Sequence, residues 1–112
     1  MYARIAQFAG IQPDRIDEQV AEMKKQAAAA KAGNIPEDAP PQTQTLMETV
    51  TRFVYLVDRA SGKGVGISFA ETEDDMRRAD AAMNEMSPPS DDDGRRTGPA
   101  EIFEVVLDDS YR

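Results

Sequence analysis

The 112-residue chain contains no cysteine, no histidine and no tryptophan. Without cysteine there is no disulfide, no thiolate nucleophile and no thiolate-bound metal. Without histidine the chain lacks the usual proton shuttle near neutral pH and the commonest ligand for metals and haem iron. Basic residues are few: 13 against 21 acidic, a net charge of −8. That balance argues against nucleic acid or anionic membrane as main partners, since both need a positive surface. The largest basic runs are the pairs Arg77-Arg78 and Arg95-Arg96. No apolar run approaches the roughly 20 residues of a spanning helix. Strand-like sequence from Tyr2 stands where a signal peptide would begin. The expectation is a cytoplasmic protein without metal or cofactor.

What is present suits one domain over residues 1–112. Tyr2 to Phe8 alternates as a strand, and Gly10 to Pro13 breaks it. Asp14 to Ala32 reads as a helix, with Ile16, Val20, Met23, Ala27 and Ala30 on one face and Gly33 as its stop. Asn34 to Gln44 holds three prolines and reads as an exposed connection, with room for a helical turn near Thr45 to Glu48.

The best-patterned stretch is Thr51 to Ala70. Thr49 to Asp58 and Gly64 to Ala70 read as strands, joined by a turn in which Gly62 supplies a positive φ. Val65, Ile67 and Phe69 make a bulky face of the second strand, and Gly64, Gly66, Ser68 and Ala70 a small one. Thr72 opens a second helix that ends near Met86, with Asp75 at capping-box spacing and a stripe of Met76, Ala79, Met83 and Met86. Ser90 to Gly98 reads as a polar loop, and Ala100 to Leu107 as the last strand.

This order is βαββαβ, an α+β ferredoxin-like arrangement. It places two helices on one face of a four-stranded antiparallel sheet. The other face is apolar as well, and exposing it is costly at roughly 25 cal/mol per Å². Its simplest cover is the same face of a second copy, a homodimer.

The stretch Leu56 to Asp80, LVDRASGKGVGISFAETEDDMRRAD, resembles the second hairpin and following helix of the dimeric α/β-barrel superfamily. The likeness lies in Val57-Asp58-Arg59, Gly62-Lys63-Gly64, the strand from Gly66 to Phe69 and the helix opened by Glu71-Thr72-Glu73. The opening strand, Ala3 to Gly10, is similar too. The superfamily includes the antibiotic biosynthesis monooxygenase-like proteins. The resemblance implies a dimeric α/β barrel and a cavity between sheet and helices. It also implies the binding or oxidation of a small apolar aromatic molecule without metal or flavin. Such members use Asn, Trp, Tyr and Arg side chains, and haem-degrading relatives use a His ligand. Neither Asn34 nor Asn84 matches a catalytic position, and histidine-ligated haem is excluded.

The candidate ligand-binding residues are Arg4, Tyr55 and Glu104. Arg4 and Glu104 fall on strands that this arrangement sets side by side. They form either a structural ion pair or a polar site holding an anionic or phenolate-like ligand. Tyr55 either packs with its hydroxyl at the edge or orients a ligand. No metal site follows from Asp91-Asp92-Asp93 or from Glu71 to Asp75, since neither has calcium-loop spacing. Whether the chain is an enzyme stays open at this stage. The alternative function is a non-enzymatic dimeric interaction or regulatory module.

Overall fold

The computed structural model describes residues 1–35, 37, 39–86 and 93–112. Five strands and three α-helices follow in the order β1 (Tyr2–Ile11), α1 (Ile16–Lys31), α2 (Pro41–Thr49), β2 (Arg52–Asp58), β3 (Lys63–Ala70), α3 (Glu73–Asn84), β4 (Asp93–Arg96) and β5 (Glu101–Glu104). A 3₁₀ turn, Pro13–Arg15, leads into α1. The strands form one antiparallel sheet, ordered β2-β3-β1-β4, with β5 also on β1. No helix among the described residues is long and apolar enough to cross a membrane.

The expected four strands and two helices are corrected at three places. The first is α2. Its prolines, read as breakers, act as a start signal: Pro41 is in the first helical turn, where its missing N–H costs nothing. The helix lies against α3, where Gln42 donates to Glu85 (2.8 Å) and Arg78 to Glu48 (2.8 Å).

The second correction is the length of β1, which runs past Phe8 to Ile11. Gly10 has φ 75°, a conformation glycine adopts freely, and Ile11 beyond it is buried. Its N–H donates to the Gly62 carbonyl at 3.0 Å. The side chain fits where Gly64 and Gly94 lack one. A Cβ on either would stand 2.7 Å from an Ile11 carbon.

The third correction is at the C-terminal end of the sheet: the last strand, expected over residues 100–107, covers only Glu101–Glu104, and an additional strand, β4, precedes it. β3 occupies one edge of β1, so β4 and β5 share the other. Phe8 faces Arg96 and Tyr2 faces Glu104, so six steps along β1 are matched by eight. The two extra residues fall in the break around Gly98-Pro99. The expected loop from Ser90 to Gly98 therefore contains β4, while residues 90–92 lie outside the described set.

The helix at 16–31 agrees with its signals. At its end Asn34 N–H donates to Ala29 and Gly33 N–H to Ala30, the paired bonds of a Schellman stop. Of its expected face Ile16 is buried, Val20, Met23 and Ala30 are half-buried, and Ala27 is exposed. Helix α3 makes closer backbone contact with β1 and β3. Thr72 caps it by accepting from the Asp75 N–H at 3.1 Å. Met76 and Ala79 on its inner face are fully buried and Ala82 is nearly so, whereas Met86 is 41% exposed.

The β2–β3 turn is held by side chains as well as backbone. Asp58 accepts from the Ala60 N–H at 3.0 Å. The Ser61 hydroxyl first, and then the Ala60 N–H, hold its carboxyl below the ordinary aspartate range. A folded-state pKa below the unfolded one contributes stability that is present above the unfolded value and lost as pH falls through the folded one. Ser61→Ala is therefore expected to move the Asp58 midpoint upward, toward the ordinary value, in a carboxyl NMR titration. An unmoved midpoint would remove the hydroxyl as the cause.

Candidate functional site

Register assigns the two faces of the sheet. Arg4 opposes Ser68, and both reach α3. This helix-covered face also carries Tyr2, Phe53, Tyr55, Ile102 and Glu104, by their pairing with neighbours on the same side.

Arg4 is the most deeply placed charge described, with 5% of its side chain exposed. Its Nε donates to Asp80 Oδ1 at 2.7 Å, Nη1 to the Met83 sulfur at 3.2 Å, and Nη2 to Asn84 Oδ1 at 3.0 Å. The Ser68 hydroxyl approaches the same sulfur at 3.6 Å. Arg96 donates to the same Asn84 oxygen at 2.7 Å. One face of α3, through Asp80, Met83 and Asn84, thus takes up the guanidinium.

A surface cleft of about 540 Å³ opens beside this network, lined by Tyr2, Glu73, Arg77, Asp80, Ile102 and Glu104. The helical residues recur at i, i+4 and i+7, which puts them on one face. Across the sheet Tyr2 stands opposite Glu104. Arg77 donates to Glu73 on the rim, and this bond raises its pKa above the ordinary arginine value. The lining is mostly charged, with Ile102 and the Tyr2 ring as its apolar parts. It suits a small polar or zwitterionic group better than the apolar compound expected from the sequence. Among the described residues no group of three or more carboxylates is placed to hold a metal ion.

Of the three candidate residues, Glu104 lines this cleft. Arg4 lies behind it, joined through Asp80, and opposes Ile102 on β5. The expected Arg4–Glu104 pairing is thus replaced by Arg4–Asp80, because β5 sets Glu104 one pair further along, opposite Tyr2. Tyr55 lies on β2, two strands from Arg4, with its ring 6.4 Å from that of Phe53. The structure does not bring it to the cleft. Sequence reasoning missed Asp80. Its only signal was a carboxylate seven residues after Glu73, on the face beside the Met76–Ala79–Met83 stripe.

The opposite face carries Ala3, Ile5, Val54, Leu56, Val65, Ile67, Phe69 and Phe103. Leu56 is 52% and Phe103 48% exposed, and Val54, Val65, Ile67 and Phe69 are half-buried. The helix in close contact with the sheet, α3, lies on the other side. Cross-strand pairing makes these side chains contiguous: Val54, Ile67 and Ile5 form one row, and Phe69, Ala3 and Phe103 another. Contiguous exposed apolar patches are, in general, where proteins meet a partner, a ligand or a membrane. No protein-family model matches this sequence, and no curated protein matches it.

Proposed function

We propose that this chain is a homodimeric, non-enzymatic interaction module, a ferredoxin-like unit whose fourth strand is divided and whose uncovered sheet face meets that of a second copy. The observation that carries this reading is the contiguous apolar face opposite α3. Four strands about 4.8 Å apart and about seven residues long present a footprint of roughly 440 Å² per copy. Side-chain relief brings the area removed from water toward the lower end of stable interfaces, about 1,200 Å² in total. A micromolar dimer is the expected result. Sedimentation equilibrium across 1–500 µM (about the range such an interface implies) tests it. A monomer at the top concentration ends the reading.

A second reading rests on the cleft under α3. Its volume fits a small molecule, with the Tyr2 ring and the Glu104 carboxylate facing the bound group and Arg77 at the rim. The mostly charged lining makes a small polar or zwitterionic compound the first class to screen. Amide shift changes confined to residues 2, 77, 80, 102 and 104 would support it, and changes elsewhere or none would not.

A further inference from the structure

Arg96, from the basic pair Arg95-Arg96, has a place in neither reading above. It pairs opposite Phe8 on β1, so it shares the helix-covered face with Arg4, whose row lies about 13 Å along the strand. The two long side chains reach toward each other and meet at the last residue of α3. Arg4 Nη2 donates to Asn84 Oδ1 at 3.0 Å, and Arg96 Nη1 donates to the same oxygen at 2.7 Å. Two like charges are thus drawn together on one neutral oxygen. Asp80 answers the first of them through Arg4 Nε. Arg96 forms no ion pair among the described residues. Glu85, next in the chain after Asn84, is taken up by Gln42 on α2. One positive charge is therefore left over here, in a chain whose net charge is −8.

The inner wall of this place is rigid and the outer wall is not. The Arg4 guanidinium is buried and fixed by Asp80 and by the Met83 sulfur, so little ordering is lost when a ligand meets it. Asn84 and Arg96 are exposed. The Asn84 carboxamide makes no other hydrogen bond among the described residues and closes a helix, so it can turn outward. An oxyanion that sets one oxygen where Asn84 Oδ1 lies receives both guanidiniums. Its second oxygen meets the remaining N–H groups of Arg96, which make no other hydrogen bond among the described residues. That fork matches a carboxylate or a phosphate, and hydrogen bonds charged on both sides are stronger than those to a neutral amide. Neither Asn84 nor Arg96 lines the cleft beside Tyr2 and Glu104.

We infer that Arg4 and Arg96 form a binding site for a small oxyanion, a carboxylate or phosphate group, and that the Asn84 carboxamide is the internal group it displaces. Neither the dimer nor a ligand in the cleft is required.

Titration of the full chain with inorganic phosphate, and separately with acetate, tests it against sodium chloride of equal ionic strength. The readout is the side-chain NMR signals of Arg4 and Arg96, with circular dichroism as the check on folding. Saturable shifts at both arginines are expected with at least one of the two anions, and the one that binds assigns the site to phosphate or to carboxylate. Arg96→Leu is expected to weaken binding about tenfold or more, as loss of a hydrogen bond to a charged group implies. Asn84→Asp places a carboxylate between the guanidiniums and is expected to abolish the response. Asn84→Ala removes the competing oxygen and is expected to tighten binding, since no closed state has to open first. Arg4 keeps Asp80 in all three variants. No saturable shift with either anion, in wild type and in Asn84→Ala, overturns the site. So does Asn84→Asp or Arg96→Leu with wild-type affinity. Weaker binding by Asn84→Ala would make the carboxamide a ligand in place of a competitor, and overturns the displacement.

Discussion

Replacing Asp80 with alanine is expected to cost about 3 kcal/mol of folding stability. Arg4 is 95% buried on its side-chain surface, and Asp80 is its one ionic partner among the described residues. The other two acceptors are weaker. One is the Met83 thioether, and the other is an Asn84 oxygen already shared with Arg96. Breaking a buried pair by removing one partner leaves an uncompensated charge, which costs about 3–5 kcal/mol. Asp80 itself is 28% exposed, so water can enter after truncation, and the lower end of that range applies. Urea denaturation of D80A, with D80N retaining an acceptor oxygen, measures the effect. The double variant R4M/D80L is expected to be more stable than D80A, because no buried charge is left over. A D80A cost under about 1 kcal/mol, the range of an exposed ion pair, would show that Arg4 reaches water and that the network is not buried in solution.

Gly62→Ala is expected to cost about 3 kcal/mol, through two separable effects. The residue has φ 73°, which charges an alanine roughly 1 kcal/mol or more. A Cβ there would also stand 2.7 Å from the carbonyl oxygen of Ile11. That neighbour is backbone, so relief requires β1 to move away from the hairpin turn. The movement strains the Ile11 N–H to Gly62 bond and the seat of the Ile11 side chain. Gly33 provides the control. It has nearly the same φ, 77°, but a Cβ on it meets nothing within 4 Å. Gly33→Ala is therefore expected to cost only the conformational part, roughly 1 kcal/mol. Equal costs for the two variants in matched denaturation curves would mean that the turn yields easily and the close approach carries no weight.

The two sites differ in how far the sequence revealed them. The Gly62 turn was legible because two β-patterned runs flank it and a hairpin there needs a positive φ. Its closeness to Ile11 was not, since 51 positions of chain separate the two and only folding brings them together. Arg4 was picked out as a charge on an otherwise apolar strand. Pairing with Glu104 was expected from the adjacency of their strands, but the register of β5 on β1 sets Ile102 opposite Arg4 and Glu104 opposite Tyr2. Adjacency is legible from element order, whereas register is decided in the folded sheet.

The sequence by itself determined the elements with strong local signals. These are the Schellman-terminated helix after Pro13, the hairpin around Gly62, the Thr72-capped helix, and the apolar character of both faces of β2 and β3. It also excluded chemistry that depends on cysteine or histidine. Tertiary structure alone decided the rest. Polar Asp93–Arg96 became a strand because the extension of β1 past Gly10 offered it an edge. The proline-rich stretch ended in α2 because α3 gave that helix something to lie against. Local propensity cannot supply such facts, since each depends on a partner strand or helix distant in the chain.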